Sequence, residues 1–153
     1  MLKPLQADLG DVLSATVVEK KTIAKLRSAI SGIPECIAAG YVDLTTGKLF
    51  GIKTLNSNPH EVLKLLAAAT AELFQGPNVT TIEKLFKKSR GLKDNNHHYF
   101  QEMIIMSDQL IHVFIRSKMN EERVLGIVCR KSANLGMVLT KVHQSLPMVE
   151  TSV

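Results

Sequence analysis

Residues 103–146 read MIIMSDQLIHVFIRSKMNEERVLGIVCRKSANLGMVLTKVHQSL, and this stretch decides the fold. Apolar runs at 103–106 and 110–115 flank Ser107-Asp108-Gln109, a polar break of turn length. A third run, 124–129, follows the polar segment 118–123. Breaks this short predict three strands in an antiparallel meander, because a crossover between parallel strands needs far more chain. Lys131-Ser132-Ala133-Asn134-Leu135-Gly136 then opens a helix that puts Leu135, Val138, Leu139, Val142 and Leu146 on one face. The stretch therefore predicts three strands closed by an amphipathic helix that ends at Leu146.

Upstream, the same two periodicities alternate. Asp11 and the box Thr16-Val17-Val18-Glu19 are competing starts for a first helix, whose face carries Ile23, Leu26, Ile30 and Ile33. Gly32 and Pro34 end it. Segments 36–44 and 49–55 read as strands joined by the turn Thr45-Thr46-Gly47-Lys48, hence a hairpin. Asn58 with Pro59 starts a second helix running to Gln75. Its stripe is Val62, Leu65, Leu66, Ala69 and Leu73, widened by Leu63, Ala67, Thr70 and Phe74. A helix apolar over so much of its circumference is expected to touch more than its own sheet. Gly76-Pro77 stops it, and Thr80-Thr81-Ile82-Glu83 reads as a capping box opening a short basic helix to about Lys88. Gly91 and Asp94-Asn95-Asn96 form a loop before the meander.

The chain has 153 residues, 45% of them apolar, which is enough to bury the core of a single domain. Residues 1–10 read as a flexible lead-in, 11–147 as the domain and 148–153 as a tail. No apolar run approaches the ~20 residues of a membrane span, and the first residues lack a secretory segment. Cys36 and Cys129 sit inside predicted strands and read as small core residues in a reducing compartment, so a cytoplasmic location is expected. A net charge of +5 admits an acidic partner, an anionic membrane or nucleic acid without choosing among them, and it is also ordinary solubility.

Motifs of chemistry are missing. Gly40 to Gly47-Lys48 has the wrong spacing for a phosphate loop, and Leu49 stands where Ser or Thr is required. There is no HExxH, Cys-x-x-Cys or Gly-x-Ser-x-Gly element. His97-His98 reads as solvated loop, and His112, alternating with Leu110 and Phe114, as a packed, hydrogen-bonded histidine. No catalytic residue, metal site or cofactor is assigned.

The order helix, hairpin, helix, three-stranded meander, helix resembles the roadblock/dynein light chain domain of the profilin-like group. Its markers are Ala39-Gly40-Tyr41-Val42-Asp43 with Thr46-Gly47-Lys48, and Ala133-Asn134-Leu135-Gly136. The resemblance covers 11–146. It implies an α+β fold, a five-stranded antiparallel sheet with helices on both faces, departing from the family by a short helix inserted between the second main helix and the third strand. It further implies a non-enzymatic homodimeric adaptor or regulator that binds a Ras-like small GTPase or a motor or scaffold complex. Known relatives pair through the second helix and the middle strand, here 59–75 and 100–106. The implied interface residues are Val62, Leu66, Ala69, Leu73, Phe100, Glu102 and Ile104. The alternative is a profilin-like or PAS-like ligand-sensing module, which needs an internal pocket that the helix and sheet side chains look large enough to close.

The insertion carries Lys84, Lys87, Lys88, Arg90 and Lys93. Ile82, Leu85 and Phe86 form one face of its helix. Either it packs on the body with a solvated basic side, or the basic residues hold an acidic partner or an anionic membrane surface. With its own capping box it is expected to form as a separate unit and contribute little to the fold. Nucleic acid is disfavoured, since only Phe86, Tyr99 and Phe100 offer stacking surface nearby.

Overall fold

The computed structural model describes residues 17–54, 60–93 and 97–153. The lead-in 1–10 and the caps Asp11, Thr16 and Asn58 lie outside them. The elements are α1 (Val17–Gly32), β1 (Cys36–Asp43), β2 (Leu49–Thr54), α2 (His60–Gln75), α3 (Pro77–Ser89), β3 (Glu102–Met106), β4 (Leu110–Arg116), β5 (Arg123–Arg130) and α4 (Leu135–Glu150). The five strands form one antiparallel sheet in the order β2-β1-β5-β4-β3. This is the α+β architecture expected from the sequence, with the extra helix between α2 and β3. No helix among the described residues is long and apolar enough to cross a membrane.

Hairpin and meander are joined by the β1–β5 ladder, which runs from Cys36↔Cys129 to Asp43↔Arg123. The two buried cysteines therefore face each other across neighbouring strands. The strand period of two sends alternate residues to opposite faces. On one face Ile111, Val113, Ile115, Leu125 and Ile127 meet Leu26, Ala29 and Ile30 of α1, Ile33 just beyond it, and Val138, Val142, Leu146 and Val149 of α4. On the other, Val42, Leu44 and Val124 seat Ala67 and Phe74 of α2, with Met103 and Phe114 packed alongside. Helix α1 lies so close to β2 that a Cβ on Gly51 would come within 3.1 Å of Leu26 Cδ1.

Helix α4 opens on the Asn134 cap, whose side chain accepts from the Met137 N–H at 3.0 Å, worth about 1 kcal/mol. It does not stop at Leu146. The tail expected over 148–153 is instead its last turn and a docked end, despite Pro147 inside the helix. Tertiary contacts outweigh the lost backbone bond. Val149 is fully buried, Glu150 accepts from Ser117 Oγ (3.1 Å) and the Met119 N–H (3.0 Å), and Ser152 Oγ meets Thr22 Oγ1 at 2.8 Å.

Two further expectations are corrected. The third strand begins at Glu102, not Phe100. The Thr80–Glu83 capping box does not exist, because α3 starts earlier, at Pro77, with Gly76 as its cap residue and no side-chain cap bond. Thr80 is inside the helix, donating to the carbonyls of Gly76 and Pro77, and Glu83 is used elsewhere. A Cβ on Gly76 would lie 2.6 Å from the Glu72 carbonyl oxygen, so this one-residue joint between α2 and α3 demands glycine.

Candidate functional site

Among the described residues strand β3 is an edge, paired with β4 alone. Its residues are mostly exposed, including Ile104 (42%), Ile105 and Met106. An apolar edge strand presents unpaired backbone groups and invites pairing. Helix α2 lies beside it, since Met103 of β3 packs into the cluster that seats Ala67 and Phe74. Those inward positions are the widening set of the sequence stripe. Leu65 (70%), Ala69 and Leu73, one turn apart from each other, form an exposed apolar ridge on the outer side. The side chains of Val62 and Leu66 lie outside the described residues.

Of the other implied interface residues, Glu102 and Ile104 sit on the α4 face of the sheet, where Glu102 meets His143 Nε2 at 3.1 Å. Phe100 precedes the strand and is half-buried. The sequence reading missed Leu65, Ile105 and Met106 as surface residues. Alternation along β3 could have flagged Ile105, which shares the α2 side with Met103.

The basic insertion is bound to the body by polar contacts. Glu83 and Lys87 are both buried. Glu83 accepts from the Tyr99 N–H and lies 3.5 Å from His98 Nδ1, and Lys87 Nζ donates to the His97 carbonyl. His98 Nε2 reaches Glu122 at 3.1 Å on its other side, and His97 Nδ1 pairs with Glu121. Burial acts to raise the Glu122 carboxyl. The Thr45 hydroxyl and His98 outweigh it and hold the group below its ordinary value. Arg116, 1% exposed, stands behind this cluster. It donates Nε to the Phe100 carbonyl (2.9 Å), Nη1 to that of Glu121 and Nη2 to that of Phe74 (3.3 Å), tying the end of α2, the approach to β3 and the β4–β5 turn together.

Lys87 is thus no part of a basic surface, whereas Lys84, Lys88, Arg90 and Lys93 are exposed. Arg90 lies over the Tyr99 ring (5.9 Å), which also contacts Phe86 at 5.3 Å between centroids. The expectation that α3 contributes little to the fold fails, because its charged pair is its anchor.

On the α2 face of the sheet lies an apolar cavity of about 380 Å³, lined by Ala38, Gly40, Ile52, Thr70, Phe114 and Gly126 among others. The expectation that large side chains would close such a space is corrected: alanine and glycine on β1 and β5 leave it open. His112, also lining it, stacks on Phe114 and meets Ser107 Oγ at 3.2 Å, and burial lowers its pKa. Among the described residues no three His, Cys, Asp or Glu side chains converge as metal ligands.

No protein-family model and no curated protein matches the sequence. Solved structures do match the fold. Gliding protein MglB from Thermus thermophilus superposes with a TM-score of 0.66 at 17% identity, covering 90% of this chain and 91% of that one. An MglB with tetrameric arrangement gives 0.66 at 16%, covering 90% and 94%. A Roadblock/LC7 domain from Streptomyces avermitilis gives 0.61 at 9%, covering 84% and 94%. Superposition over 84–90% of the chain at such low identity is a likeness of fold, and the fold of this chain is the roadblock fold.

Proposed function

We propose that the chain is a non-enzymatic homodimeric adaptor or regulator of the cytoplasm, whose partner is a Ras-like small GTPase or a motor or scaffold complex. The observation that carries this reading is the juxtaposition of the exposed β3 edge with the apolar ridge Leu65, Ala69 and Leu73 of α2. Two copies joined edge to edge would make one continuous sheet and cover both ridges. The tetrameric arrangement of one MglB supports self-association, and the resemblance to the roadblock family supports a GTPase partner. In the proposed interface Glu102, Ile104 and Phe100 flank the strand edge, while Val62, Leu66, Ala69 and Leu73 belong to the helix.

The partner reading is tested by capture. Immobilised chain, exposed to native lysate loaded with a non-hydrolysable GTP analogue or with GDP, is expected to retain a Ras-like GTPase at least about tenfold more strongly in one nucleotide state. Retention of none, or equal retention in both states, contradicts a GTPase partner.

The cavity favours a second reading, the ligand-sensing module. About 380 Å³ with a mostly apolar lining and three polar side chains, Thr54, Thr70 and His112, suits a small apolar molecule. An apolar compound copurifying with the chain and visible in native mass spectrometry would favour this reading over the first.

A further inference from the structure

Helix α3 is turned the wrong way round for a helix that serves only its own body. Glu83 and Lys87, one turn apart, share the inward side. Ile82, Leu85 and Phe86 share an exposed stripe, with Leu85 at 60%, and Leu92 just beyond the helix is exposed as well. Lys84 and Lys88, also one turn apart, run along the other side of Leu85. Between 77 and 93 the sole acid is Glu83, and it is buried. The outer surface of the insertion is therefore apolar side chains rimmed by Lys84, Lys88, Arg90 and Lys93, with no exposed anion.

We propose that this surface binds anionic phospholipid. Apolar residues entering the headgroup boundary, with cations beside them at the phosphates, are the physical requirements of an interfacial helix. The stripe Ile82, Leu85 and Phe86 is the outward face of a helix, and a fluid surface conforms to such a face where a protein partner would have to supply a matching cleft. Its cations are spread on both sides of the ridge, which suits a sheet of negative charge more than one acidic side chain. The Phe86–Tyr99 pair at its border adds rings of the kind that favour the interface. Lysine stems extend along the apolar boundary while their ammonium groups stay at the headgroups. This inference does not rest on the dimer or on a GTPase partner.

The test is flotation of the full chain with vesicles of phosphatidylglycerol and phosphatidylcholine in equal parts, against pure phosphatidylcholine. Binding is expected to the first and at least about tenfold less to the second, and it should fall steeply as salt rises. At about fivefold per cation, K84E with K88E, which removes two cations and adds two anions, should cut binding by at least about twentyfold. Leu85→Ser should cut it by about tenfold through lost burial. The control K21E with K25E makes the same charge change at exposed positions of α1 and should keep binding within about twofold. All these positions are exposed, and melting curves confirm that each variant folds. The inference is overturned if the parent does not float with anionic vesicles at low salt, if the α1 control loses as much as the α3 variant, or if Leu85→Ser has no effect. It is also overturned if the α3 substitutions impair binding to an acidic protein while vesicle binding is absent.

Discussion

Arg116→Ala is expected to destabilise the fold by about 3–5 kcal/mol, a large share of the stability of a domain this size. The guanidinium is 1% exposed and serves three carbonyls, those of Phe100, Glu121 and Phe74. Removing it leaves one buried carbonyl, that of Phe74, and two part-buried ones without this donor, at up to about 1–3 kcal/mol each and not fully additive. It also removes the positive charge that faces Glu83, Glu122 and Glu121. Arg116→Lys should recover only part of the loss, because an ammonium cannot reproduce a planar fork reaching three segments. Urea unfolding measures both. A loss under about 1 kcal/mol for the alanine variant would mean that these segments hold together without Arg116.

Glu83→Ala is the second large effect, at about 2–3 kcal/mol. It strips the Tyr99 N–H of its acceptor, takes one carboxylate from His98, and removes the buried anion one turn from buried Lys87. Hydrogen exchange should quicken across α3 and at Tyr99 before the rest of the domain responds, since the helix is held to the loop at 97–99 by these groups. Glu83→Gln keeps an acceptor and should cost less. If Glu83→Ala melts with the parent and α3 exchanges no faster, the helix is independent of the body after all.

How much of this was legible follows from which forces act locally. The strands, their alternation and the entry to the last helix at 131–136 were readable because they depend on neighbours in sequence. The outward ridge of α2 was half readable: the stripe was too wide for one sheet, but which residues point inward was settled by packing, and Ala67 and Phe74 rather than Leu65 and Leu73 face β1 and β5. The α3 region misled because Thr80-Thr81-Ile82-Glu83 has the chemistry of a cap. The glutamate instead bonds the N–H of Tyr99, a residue no local pattern connects to it. Arg116 was invisible for the same reason. A charged residue ending an apolar strand reads as surface until the three carbonyls converging on it are known. The end of α4 was misplaced because Pro147 marks a local weakness that Val149, Glu150 and Ser152 overcome through distant contacts.

Self-association through β3 and α2 is most directly tested by sedimentation velocity of the full chain at micromolar concentration, beside Ile104→Glu and Leu73→Glu. Both positions are exposed in the single chain, so both variants should stay folded by circular dichroism. The expected result is a parent dimer and monomeric variants, each weakened by at least about a hundredfold as the paired edges bring like charges together. A parent that sediments only as monomer, or an Ile104→Glu variant that remains as dimeric as the parent, would contradict it.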